Sequence, residues 1–240
     1  MMNSVTIRQA LEFIGLLSTS PSNPYNLCNT FGVEVIDNEP INKDGYLVCD
    51  RGCKLIFVSS NITNRHRKKF IISHELGHFL LHREKLYCCT DISEIGISQI
   101  NSNCQENEAN YFASEYLLPQ EQLLRMLPHE SIRFSDIFKI AAHFDVSATM
   151  AAMKATRLSN AEDEILLCYK GQQLKWFSSG DTGLCYKMLP QKCPVDLTRA
   201  PLEVDIGGVW DTLYEGTVHQ EVFNPFEDQR LVLLSGTRCL

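Results

Sequence analysis

Apolar positions in this chain recur with two different periods, and the change from one to the other divides it. Ile7, Leu11, Ile14 and Leu17 repeat at three and four residues, which predicts a helix over 5–17. Residues 18–24 are rich in turn formers, and a short helix over 25–31 is ended by Gly32. A strand follows at 33–36. Asp44-Gly45 marks a turn, and 46–49 and 53–58 pair as a hairpin about Asp50-Arg51-Gly52. A helix is predicted over 64–82. Residues 83–103 are polar and read as a loop that borders the site described below. Helices at 105–118, stopped by Pro119, and at 120–126 come next. Helices at 136–144 and 148–158, joined by Asp145-Val146-Ser147 with Ser147 as N-cap, have a helix-turn-helix outline. Beyond 161 the period is that of strands, at 165–169, 174–177, 204–206, 218–223 and 231–234, separated by Gly, Pro and Asp. The fold class is therefore α+β. A mainly helical core with a small β-sheet spans 1–130, a helix-turn-helix-like segment 131–160, and a small β-rich C-terminal domain 161–240. The boundary is placed near 159–163.

Composition narrows the function only a little. Of 240 residues, 44% are hydrophobic and 21% charged, as in an ordinary globular protein. The formal net charge of −7 argues against nucleic-acid binding driven by phosphate neutralisation. Arg65, Arg67, Lys68 and Lys69 form the dense basic run, read as a solvated first helical turn rather than a phosphate contact. Residues 1–17 lack the basic start, apolar run and cleavage site of a secretory signal, and no apolar stretch is long enough to span a membrane. The chain is therefore expected in the cytoplasm, with its ten cysteines as reduced thiols. No Cys-x-x-Cys pair is present.

Within the 64–82 helix lies His74-Glu75-Leu76-Gly77-His78, a His-Glu-x-x-His pattern. His74 and His78 are four residues apart, one turn apart on one helical face, where two imidazoles can bind one zinc ion. Glu75 is rotated by about 100° from His74. That places its carboxylate beside the metal's open position, where it can act as general base toward water. Phe70, Ile71, Leu76, Phe79, Leu80 and Leu81 make the segment a buried helix, so its polar residues need a reason to be there.

Zinc held by two histidines needs a third protein ligand. The candidates are Glu106, Glu108, Glu115 and His82. His82 is eight residues from His74, roughly 12 Å along a helix, too far to share an ion with it. It reads instead as a supporting or capping group. Glu106 is better placed, because Glu106-x-x-x-Asn110 sets a carboxylate and an amide on one face. The amide could then hold a histidine ring. Glu108 is turned about 200° from Glu106, so both cannot face the metal. Spacing alone does not choose between them.

In these residues the chain resembles the ImmA/IrrE family of zinc metallopeptidases. The resemblance rests on the His74–His78 motif in a run ending Leu80-Leu81-His82, and on Glu106-x-Glu108-Ala109-Asn110-x-Phe112-Ala113 closing in Leu117-Leu118-Pro119. It continues through Ala141-Ala142-His143-Phe144-Asp145-Val146-Ser147 and covers roughly 20–160. It implies a gluzincin-like site in which His74, His78 and Glu106 hold Zn2+ and Glu75 is the catalytic base. Leu174-Lys175-Trp176-Phe177 is similar to a strand that follows the peptidase core in such proteins. The remainder of the tail has no match. The resemblance further implies a cytoplasmic endopeptidase whose protein substrate is a bacterial or phage helix-turn-helix repressor, so that cleavage regulates gene expression. Tyr87, Tyr111, Tyr116 and His143 are candidates for a second group that stabilises the oxyanion, and spacing does not rank them.

The rival reading is a DNA- or repressor-binding regulatory module with a structural or inactive zinc site. A reading helix should present Arg, Lys, Asn or Gln. Residues 148–158 present mostly Ala and Met, with Lys154 and Arg157 near the end. Packing or contact with a protein suits that face better than DNA, so direct nucleic-acid binding is not expected. An inactive relative that only sequesters a repressor would not need Glu75.

Overall fold

The computed structural model describes residues 7–15, 22–50, 52–82, 104–159, 163–193, 203–205, 210 and 212–238. The chain has the α+β architecture and divides into two compact units. One holds the described residues up to 82, then 104–120 and 143–146. The other holds 121–142 and those from 147 on. The loop expected at 83–103 and residues 160–162 of the expected boundary lie outside the described residues. No helix among the described residues is long and apolar enough to cross a membrane.

The first unit begins with α1 (Ile7–Gly15) and α2 (Pro24–Thr30). Asn23 caps α2 by accepting from the Tyr25 amide, Pro24 opens it, and Gly32 follows it in the left-handed region at φ 64°. Three strands form its sheet: β1 (Glu34–Glu39), β2 (Gly45–Asp50) and β3 (Cys53–Ser59). Their order is β1-β3-β2, with β1 parallel and β2 antiparallel to β3. The strand pair 46–49 and 53–58 expected from alternation is this β2–β3 hairpin, one residue longer at each end of β2.

Helix α3 (Arg65–Leu81) starts at Asn64, whose side chain accepts from the amides of His66 and Arg67. Residues 71–79 are buried on every side, because α3 packs against β2, β3, α2 and α4 (Cys104–Leu117). Gly45, expected only as a turn residue, has a second role. A Cβ there would lie 2.5 Å from Ile71 Cγ2 and 2.9 Å from the Phe57 carbonyl oxygen. Only glycine lets the start of β2 press this closely onto α3.

The basic run differs from the expected solvated turn. Arg67 pairs with Asp44, Lys68 with Asp37 at 3.3 Å, and Arg65, His66 and Lys69 all meet Asp145. Asp145 itself has φ 53°. These cations anchor α3 to its own unit's acids instead of presenting a phosphate-binding patch.

In the second unit, α5 (Gln120–Leu124), which begins on the last residue of the first unit, precedes α6 (Phe134–Phe144), whose last two residues are counted with the first unit, and α7 (Ala148–Leu158). Ser147 caps α7 by accepting from the Met150 amide. Five antiparallel strands follow: β4 (Ile165–Lys170), β5 (Gln173–Ser179), β6 (Glu203–Asp205), β7 (Tyr214–Phe226) and β8 (Gln229–Arg238), ordered β5-β4-β8-β7-β6. One face buries Ile165, Leu167, Tyr169, Val218, Val232 and Leu234 against Trp210 and Leu213. On the other, α7 packs on β4 and β5, and Ser178, paired with Leu166, donates to the Met153 carbonyl oxygen. Both faces of β4 are thus covered, which is why it reads as a continuous apolar run.

β7 and β8 run well past the apolar segments at 218–223 and 231–234. Their polar ends complete the hairpin ladder about Glu227-Asp228. Register shifts fall between Glu215 and Val218, where Gly216 has φ 75°, and between Phe223 and Phe226, which admits Pro225. Helix α7 buries Ala151, Ala152, Ala155 and Thr156. Its small-residue face is therefore used in packing within its own unit.

Candidate metal centre

Burying nine consecutive helical residues that include Ser73, His74, Glu75 and His78 is costly unless each polar group finds a partner. Ser73 Oγ donates to the Lys69 carbonyl oxygen at 2.8 Å, one turn back. His74 Nδ1 lies 2.9 Å from Asn110 Oδ1 on α4. With the Nδ1 proton donated to that amide oxygen, the lone pair of His74 sits on Nε2. His74 Nε2 is 3.1 Å from His78 Nε2 and 3.2 Å from Glu106 Oε2, and His78 Nε2 is 3.4 Å from Glu106 Oε1. Two imidazole nitrogens and a carboxylate therefore converge on one point. His74, His78 and Glu106 are the one such group of three among the described residues.

These separations test whether a cation fits. Bonds of about 2.0–2.1 Å at tetrahedral angles set ligands roughly 3.3 Å apart. The two nitrogens are 3.1 Å apart, and they lie 3.2 and 3.4 Å from the two oxygens of Glu106, separations of that size. The donor set, two nitrogens and one oxygen, suits a first-row divalent ion. Burial pushes the Glu106 carboxyl up, but hydrogen bonds and charge from His74 and His78 outweigh this and lower it to about 2. Glu106 is therefore the carboxylate anion a cation needs.

The approach of α3 to α4 sets this geometry. A Cβ on Gly77 would lie 3.1 Å from Phe112 Cδ1 and 3.2 Å from Ala109 Cα. Gly77 on α3 and Ala109 on α4 let the two backbones come close, and Ala109 is one turn from Glu106 on the same face. Glu106 faces the two histidines, whereas Glu108 faces His82 at 3.4 Å. Glu75 is fully buried on α3, and a Cβ on Gly45 would be 3.9 Å from its Cγ. The start of β2 therefore packs against the Glu75 side chain. Of the oxyanion candidates, Tyr87 lies outside the described residues, Tyr116 is buried with its hydroxyl pushed up by burial, and Tyr111 is 51% exposed. His143 is exposed, with its ring edge against Phe144. The signal that sequence reasoning missed was Gly77, whose role depends on a second helix.

A family profile described as the IrrE N-terminal-like domain, of a peptidase family, matches residues 28–156. The chain belongs to this family. Two bacterial and phage proteins are similar to it as well. Metallopeptidase ImmA of Bacillus subtilis (strain 168) is 26% identical over 144 residues, 60% of this chain and 81% of that protein. Uncharacterized immunity region protein 2 of Bacillus phage phi105 is 34% identical over 107 residues, 41% of this chain and 60% of that protein. Among solved structures, a Mycobacterium tuberculosis transcriptional regulator aligns with a TM-score of 0.56 at 13% identity. The alignment covers 96% of this chain and 75% of that one, a likeness of fold. As an IrrE N-terminal-like peptidase, the chain places its His-Glu-x-x-His motif and Glu106 inside the matched region.

Proposed function

We propose that this chain is a zinc-dependent endopeptidase that cuts a peptide bond in a partner protein, a bacterial or phage helix-turn-helix repressor, in the cytoplasm. The observation that carries the reading is the convergence of His74, His78 and Glu106, with Glu75, next to His74 in the chain, fully buried. Two His and one Glu are a donor set that zinc takes in hydrolytic sites, leaving one position open. When bound there, zinc supplies Lewis acidity toward the scissile carbonyl and lowers the pKa of water. His74, His78 and Glu106 would hold it, with Asn110 orienting His74. Glu75 is the general base: its carboxylate takes the proton of the attacking water and returns it to the leaving nitrogen. Strand β2, at the edge of the described sheet and with its start against the Glu75 side chain, is where an extended substrate can add as a further strand. The likeness to a protein of a phage immunity region supports a repressor as the substrate.

The test is metal analysis of the purified protein beside His78→Ala, followed by incubation with candidate repressors. About one zinc per chain is expected, lost in the variant. Cleavage by the parent chain should be absent with Glu75→Gln. No zinc after adding it back at neutral pH would refute the peptidase reading and favour a binding module.

A further inference from the structure

The end of α3 and the first turn of α4 carry a second set of donor atoms that the peptidase site does not use. His82, the C-cap residue of α3, has a side chain only 9% exposed. Its ring hydrogen-bonds the backbone of Gln105. Its Nε2 is buried and makes no hydrogen bond, yet it lies 3.4 Å from Glu108 Oε2. The other oxygen of that carboxylate accepts from Cys104 Sγ at 3.4 Å. A metal-binding histidine ties one ring nitrogen to backbone, carboxylate or water and leaves the other for the ion, and the His82 ring is tied to Gln105 with Nε2 making no hydrogen bond. Tetrahedral nitrogen and oxygen ligands lie roughly 3.3 Å apart, and a thiolate and a carboxylate roughly 3.5 Å. The two observed separations are of that size, one to each oxygen of Glu108.

We propose that His82, Glu108 and Cys104 form a second cation site, for a borderline-soft divalent ion such as zinc or cobalt(II). The site clasps the end of α3 to the start of α4. The thiol and the imidazole now reach opposite oxygens of Glu108. Rotation of the exposed Cys104 side chain brings its sulfur to the imidazole side, where one ion meets all three donors. Binding forms the metal–sulfur bond, and the thiol proton leaves to solvent. Glu106 lies between Cys104 and Glu108 in the chain, so the clasp holds the turn that carries a ligand of the first site.

The experiment is a cobalt(II) titration of the reduced, metal-free full chain, read by absorbance. The first site holds no sulfur, so its equivalent shows only weak visible bands. A second equivalent with a near-ultraviolet thiolate-to-cobalt charge-transfer band is expected. That band should vanish in Cys104→Ser and weaken in Glu108→Gln, while the first equivalent's bands remain and show that each variant is folded. A titration that ends at one cobalt per chain overturns the proposal. So does a second equivalent without the sulfur band, or a band that persists in Cys104→Ser.

Discussion

Gly77→Ala is the most informative single change, because it adds one methyl group between the two helices that build the metal centre. The new Cβ would stand 3.1 Å from Phe112 Cδ1, 3.2 Å from Ala109 Cα and 3.4 Å from the Ala109 carbonyl oxygen. Carbon atoms pack best at about 3.5–4.0 Å, so a neighbour must yield by roughly 0.3–0.5 Å. The Phe112 ring can swing, but Ala109 Cα belongs to the α4 backbone and moves only with the helix. Glu106 is one turn from Ala109, so its carboxylate is carried away from His74 and His78, which it now meets at 3.2 and 3.4 Å. Metal–ligand bonds tolerate about 0.2 Å. Stability should change far less. Alanine is better than glycine in a helix by about 1 kcal/mol, and overpacking costs about 1–3 kcal/mol, for a net loss of about 0–2 kcal/mol. We expect the variant to fold and to bind zinc about 10–100-fold more weakly, as when a ligand loses its support. Chelator competition measures the affinity, and thermal unfolding of the metal-free protein measures the stability. Zinc affinity equal to that of the parent chain would refute the argument that the α3–α4 approach sets the site.

Two further outcomes follow from named contacts. Asn110→Ala removes the acceptor that holds His74 Nδ1, so zinc affinity should fall about 10–100-fold by the same competition assay with little loss of helix content by circular dichroism. Asp145→Asn tests the anchor of α3. Burial raises the Asp145 carboxyl, but hydrogen bonds from Lys69 and His66 and the charges of Lys69 and Arg65 outweigh it and hold it below its ordinary value. A carboxylate depressed on folding stabilises the fold above its unfolded value of about 3.9 and loses that contribution as pH falls through the folded value. The parent chain should therefore be more stable than the variant to urea at pH 6, and the difference should close below pH 4.

The sequence by itself determined what short-range periodicity can carry. A spacing of four puts His74 and His78 on one face of any helix, and Ser147 caps its helix through an amide three residues away. Such contacts are set by the helix itself and need no knowledge of the rest of the chain. The apolar run 165–169 likewise declared a strand. Tertiary structure decided matters that depend on a second element. Glu106 and Glu108 have the same chemistry and lie in the same turn, and only the approach of α4 to α3 turns one to the histidines and the other to His82. Gly77 is silent until Ala109 is opposite it, and Gly45 until Ile71 is beneath it. The basic run 65–69 looked solvated because its acidic partners, Asp37, Asp44 and Asp145, are remote along the chain. The polar ends of β7 and β8 were invisible to pattern because the ladder between them is made of backbone groups, which every residue except proline carries alike.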